Sequence, residues 1–314
     1  MARRKSHVRR WCAVGSVFAA MASLPPAAAG QNSPAPATRA VGARPVVTVA
    51  AGNWGAVAVA DIQVFLEAVA GEFISYAADP QQVPLQIRVV PRGGSPRVLY
   101  DRGREGEYVV QLTARNENWF QYAYQFSHEL CHIVSHFDHK ERQGDTVASG
   151  NQWFEEALCE TAALYTLKRL ATDWAEAPPA RQWAGYGPVF ASYAEFLQAQ
   201  PHRRPGQRPA VDRWYREHAA ALAADPYQRE MNERLATALL PLFERDPGRW
   251  RAIAYLNADT ASATKGFADF LGDWYLACPP EARDVVQQTM ELFGFTPPSP
   301  AAPRLARVNA AWPD

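Results

Sequence analysis

The stretch Phe126–Val134, FSHELCHIV, sets His128, Glu129 and His132 in H-E-x-x-H spacing. Residues four apart lie on one face of an α-helix, so the two imidazoles converge on a single point if this segment is helical. That requirement constrains the fold more than any other feature. The helix must be packed, and one polar stripe of it must open into a site. Neutral imidazole is a good zinc ligand. Glu129, one residue beyond His128, flanks such an ion and is placed to take a proton from a water that zinc activates. The chain has only seven histidines in 314 residues. The bland alternative is two half-buried histidines on an ordinary helix.

The segments around the motif read as α+β. Pro45–Ala50 and Pro84–Val90 alternate like strands, Gly93-Gly94 marks a turn, and Pro96–Asp101 is a second short strand. Glu107–Arg115 is a further strand, rich in β-branched and aromatic residues. Between the first two, Ile62, Phe65, Leu66, Val69, Phe73 and Ile74 recur at helical spacing. The motif helix opens after Asn118, a candidate N-cap with Gln121 three residues on. A second strong helix runs over about 152–170, with Asn151 as its candidate cap. The charged, glycine-containing segment between them, HFDHKERQGDTVASG, is expected to be a solvated loop, which takes His136, His139 and Asp138 with it. Beyond Thr172 the pattern is helical and interrupted by proline. The expected organisation is a catalytic core over 46–175, combining a small mixed sheet with the motif helix, and a mainly helical half over 176–297.

A catalytic zinc takes three protein ligands and keeps one position open. Two sources for the third compete. One is WFEEALCE (Trp153–Glu160) on the next helix, which offers Glu155, Glu156 and Glu160; the other is Asp138, six residues after His132. H-E-x-x-H followed by W-x-x-E-x-x-x-E on a second helix resembles the gluzincin metallopeptidases, whose zinc glutamate sits in a W-[LF]-x-E-G-x-A pattern. That resemblance implies a zincin-like core, Zn²⁺ held by His128, His132 and Glu156, and Glu129 as general base. It puts Ala157 on the usual glycine and Cys159 on the usual alanine. Glu160, one turn after Glu156, is implied to support a liganding histidine from behind. Glu107–Arg115 resembles the edge strand to which an extended peptide substrate adds in that fold.

The resemblance has gaps. No G-x-M-E-N sequence is present, which argues against a standard aminopeptidase of this type. The group that stabilises the oxyanion is not placed; Tyr186, Tyr193, His202, Tyr215 and His218 are the candidates. The Asp138 alternative resembles metzincins, but Ser135 replaces the glycine that permits their turn. Cys131 and Cys159 each lie three residues after a candidate ligand. If the two ligand helices pack side by side, these cysteines face one another, a candidate disulfide.

Outside the core, residues 1–29 carry a basic start, a 14-residue apolar stretch (Trp11–Leu24) and small residues before a cleavage point near Ala29. This predicts a signal peptide and an exported protein, periplasmic or secreted; a span would need about 20 residues, so no stable membrane span is expected after cleavage. Residues 30–45 and 298–314 are expected to be disordered. Without the first 29 residues the chain has 27 basic and 32 acidic residues. A net charge of −5 leaves no electrostatic footprint for nucleic acid. The expected partner is a peptide or protein substrate.

Overall fold

A computed structural model describes residues 45–77, 84–140, 142–143, 146–147, 150–204 and 210–299. The expected signal peptide, almost all of the leader and residues 300–314 lie outside the described residues. The architecture is α+β, with a small mixed sheet first and helices after it.

Strand β1 (Val46–Val49), helix α1 (Val59–Ala77) and strand β2 (Gln86–Pro91) form a parallel crossover, with Val47 beside Ile87 and Val49 beside Val89. Strand β3 (Arg97–Val98) turns back antiparallel to β4 (Tyr108–Leu112), which also pairs parallel with β2, so the sheet order is β1-β2-β4-β3. This corrects the expectation that Glu107–Arg115 is an edge. Its alternating Tyr108, Val110 and Leu112 are buried, and its backbone is paired on both sides. The antiparallel edge is the two-residue β3, extended by the Leu99 N–H donating to the Val109 carbonyl.

Helix α2 (Trp119–Val134) carries the motif and packs on α1, β4 and β3. Asn118 occupies its N-cap position without a side-chain capping bond. At its other end His136 takes a left-handed backbone, φ 55°. A short 3-10 turn (Phe137–His139) and a two-residue hairpin, β5 (Arg142–Gln143) and β6 (Thr146–Val147), follow. Helix α3 (Gln152–Glu176) is the spine of the molecule, packing along α2 on one side and along the later helices on another. Asn151 precedes it but caps nothing; its amide donates to the Lys265 carbonyl, 3.0 Å away.

The helical half comprises α4 (Gly187–Gln198), α5 (Val211–Ala224), α6 (Arg229–Glu244), a 3-10 stretch (Pro247–Tyr255), α7 (Phe267–Ala277) and α8 (Arg283–Leu292). One continuous apolar core runs from Val47 and Val49 under the sheet to Phe293 beyond α8. Helix α3 has buried side chains on nearly its whole circumference over Gln152–Leu167, which is how it can join the sheet side to the helical side. No helix among the described residues is long and apolar enough to cross a membrane.

Candidate metal centre

His128 and His132 project from one face of α2, their ring centroids 5.1 Å apart. Helix α3 lies alongside and brings Glu156 between them. Its carboxylate oxygens stand 3.3 Å from Nε2 of His128 and 3.6 Å from Nε2 of His132. One donor atom from each of these three residues falls within 4.8 Å of the others, so the group can hold a metal ion.

The neighbouring glutamates are turned away from this point. Successive helical residues are about 100° apart, so Glu155 and Glu156 face different directions. Glu155 reaches behind His132, with Oε1 2.6 Å from Nδ1. Glu160, one turn beyond Glu156, reaches behind His128, 3.7 Å from its Nδ1, and accepts from the Tyr124 hydroxyl at 2.5 Å. Each ring therefore has its Nε2 toward Glu156 and a carboxylate at its Nδ1. Carboxylates at that far nitrogen fix the ring's tautomer and orientation in metal sites. Two imidazole nitrogens, one carboxylate oxygen and anchored rings make a donor set suited to a metal ion.

The electrostatics follow from packing four carboxylates with two imidazoles out of solvent. Burial opposes charge on His128, but Glu156 and Glu160 outweigh it and hold the ring up at about 10. The same contest leaves His132 well above its ordinary value, chiefly through Glu156 and Glu155. Burial would raise Glu156, yet the two histidines hold it well below the usual carboxylate range. Glu155 falls to about 2 because Lys140 and His132 override its burial. Glu160 falls to about 2 against burial, first through Arg203 and then His128. Glu129 is the exception: burial outweighs the attraction of His128 and His132, and its pKa is raised. A raised pKa makes a carboxylate a better proton acceptor. The Val98 backbone N–H on edge strand β3 donates to it.

The other expected residues are used elsewhere. Asp138 binds Arg102 (2.8 and 3.1 Å) and lies 3.4 Å from the Tyr108 hydroxyl; it is not a member of the metal-holding group. Tyr186 packs on Phe190, Tyr193 on Phe120, and Tyr215 on Trp153. His202 binds Glu233, and His218 contacts the Trp214 carbonyl. Cys131 and Cys159 meet across the α2–α3 contact, but as fully buried free thiols with a hydrogen bond between them rather than as the candidate disulfide.

Among the contributors that escaped the sequence reading are Glu155 behind His132, Lys140, Asn257 and Tyr227. The expected solvated loop contains Lys140, yet its side chain is buried. Asn257, from the far end of the chain, donates to Glu155 Oε2 at 3.0 Å and to the Ser135 carbonyl at 2.9 Å. Tyr227, at the entrance to α6, keeps 61% of its surface exposed. Its hydroxyl is nonetheless pushed up to about 12, first by lost hydration and then by the carboxylates of Glu156 and Glu155. Only the second of two adjacent glutamates fits the ligand pattern, which was the one available hint to Glu155; the other three carried no local signal. Comparison with protein-family models, curated proteins and solved structures returns no match.

Proposed function

We propose that this protein is a zinc-dependent metallopeptidase with a gluzincin-like arrangement, in which His128, His132 and Glu156 hold the ion. The observation that carries the reading is the position of Glu129. It is buried, interacts electrostatically with His128, His132 and Glu156, and accepts from the backbone of the antiparallel edge strand β3. A site that only bound metal would have no chemical need for that carboxylate.

The residues divide the work as follows. An extended peptide adds to the outer edge of β3, which brings its scissile amide beside Glu129. Zinc, when bound, supplies Lewis acidity to the amide carbonyl and to the attacking water. Glu129 accepts the proton from that water and later delivers it to the leaving amine. Tyr227, whose hydroxyl interacts electrostatically with Glu156 and Glu155, is the donor proposed for the oxyanion. Glu155 and Glu160 keep the two imidazoles aimed. The basic, apolar start of the chain supports export as the setting for this activity.

The test combines metal content by mass spectrometry with hydrolysis of a broad peptide library. Wild type and Asp138→Ala should carry about one zinc per chain, and Glu156→Ala should lose it. Glu129→Gln should keep the metal and lose hydrolysis by at least about 10²-fold. Metal loss in Asp138→Ala alone would replace the third ligand. Equal behaviour of wild type and Glu129→Gln would leave a metal-binding module without turnover.

A further inference from the structure

We infer that Lys140 is a positioning residue of the metal centre: one buried ammonium that aims two of the three ligands through separate intermediaries. The inference rests on the metal-site reading above and goes beyond either motif, since Lys140 belongs to neither.

The geometry is a branched chain of contacts. The Lys140 Nζ lies 2.5 Å from Oε2 of Glu155, whose other oxygen is 2.6 Å from Nδ1 of His132. The same ammonium donates to the Gln152 side-chain carbonyl. The Gln152 amide in turn donates to Oε1 of Glu156 at 2.9 Å. One branch thus ends on a ligating histidine and the other on the ligating glutamate. Lys140 is 5% exposed and Glu155 1%. A buried ion pair is retained at a cost in desolvation, and replacing such a pair by apolar residues is often neutral or stabilising. Core stability therefore does not explain it. What the pair does supply is a fixed direction for Glu155, which Asn257 reinforces at 3.0 Å. With Oε2 committed to Lys140 and Asn257, only Oε1 is left for the ring.

The helix explains why both branches can start from one residue. Gln152 and Glu156 are four apart on α3, on one stripe, and Glu155 is three from Gln152 on the adjoining stripe. A cation set against the first turn of α3 from outside meets both stripes at once. The segment that delivers it, the 3-10 turn Phe137–His139, directly follows α2. The same few residues after the histidine motif that read as a solvated loop thus return a charge to the second ligand helix.

The test uses full-length protein and two ions, Zn²⁺ measured by competition with a chromophoric chelator and Co²⁺ by its visible absorption. Lys140→Met and Glu155→Gln should each weaken zinc about 10- to 100-fold and change the Co²⁺ spectrum, the usual effect of losing an outer partner of a ligand. Lys140→Arg should recover part of the affinity. The double variant Lys140→Met/Glu155→Gln should be weaker than wild type by less than the product of the two single losses, because Lys140 acts partly through Glu155. Lys140→Met that leaves both affinity and spectrum unchanged overturns the inference, as does a double variant that multiplies the two losses. If Lys140→Met does not fold, the double variant, which strands neither charge, carries the comparison together with Gln152→Ala: each must alter the Co²⁺ spectrum for the inference to stand. Wild type that takes up neither ion defeats the metal reading itself, whereas wild type that binds both ions beside an indifferent Lys140→Met defeats only the role of Lys140.

Discussion

At the scale of single residues, the surroundings of a side chain decide its chemistry more than its identity does. Glu129, Glu155, Glu156 and Glu160 are all buried or nearly so, yet only Glu129 has its pKa raised, because the others each meet a cation or a ring that outweighs burial. Tyr227 illustrates the same point from the solvent side. Under the proposed reaction, Tyr227→Phe should keep the zinc and lower kcat by about 10²-fold with little change in KM, as removal of an oxyanion donor does; unchanged turnover would remove Tyr227 from that reaction. His136 gives a prediction about stability. Burial, and then His139, lower its pKa to about 4, with Asp138 opposing and Arg102 adding to the fall. An unfolded histidine titrates near 6.5. Between about 6.5 and 4 the unfolded chain therefore binds more protons than the folded one, and stability falls as pH drops through that window, levelling off below it. His136→Asn removes the titration and tolerates the left-handed backbone at φ 55°. Urea midpoints at pH 7 and pH 5 should differ less for this variant than for wild type; an equal difference would locate the acid sensitivity elsewhere.

At the scale of elements, the ligand helix α3 is held at its first turn by aromatic rings. Phe267 of α7 lies 4.5 Å from Trp153 and 5.1 Å from Phe154, ring centre to ring centre, immediately before Glu155 and Glu156. Phe267→Ala should destabilise the protein by about 3–5 kcal/mol. If the cluster positions α3, the variant should also bind zinc more weakly, so that a fixed zinc concentration stabilises it by fewer kcal/mol than wild type. A loss below about 1 kcal/mol would mean that α3 is positioned without the cluster. Helices α2 and α3 were legible in the sequence because each carries a long apolar stripe, and the His–His and Trp–Glu spacings only make sense on such stripes. The strand order was not. Periodicity marks Tyr108–Leu112 as a strand, but whether one or two neighbours pair with it depends on β3, two residues long, whose existence rests on a turn rather than on a pattern. Lys140 was misread for a related reason. A charged residue in a charged segment looks solvated unless its partners are known, and those partners lie on another helix.

At the scale of the molecule, the helical half completes the centre rather than merely covering it. Asn257 reaches Glu155 from the end of the 3-10 stretch, and Arg203, after α4, binds both Glu160 on α3 and Glu233 on α6. Arg229 also binds Glu233, so two buried carboxylates are balanced by two guanidinium groups at the junction of α3 and α6. Arg203 has a fully buried side chain, and its contact to Glu160 sits one step behind His128. The two halves should therefore unfold together, with tryptophan fluorescence and far-UV circular dichroism tracing one transition. Arg203→Met leaves Glu160 and Glu233 short of their shared cation in a buried setting, where removing one partner costs about 3–5 kcal/mol. The same substitution should weaken zinc, since Glu160 loses the cation that holds it charged behind His128. Two outcomes would separate the links of this argument. A stable Arg203→Met with weakened zinc would make Arg203 a support for the site alone. A destabilised variant with unaltered zinc affinity would confine Arg203 to the junction and release His128 from any dependence on the helical half.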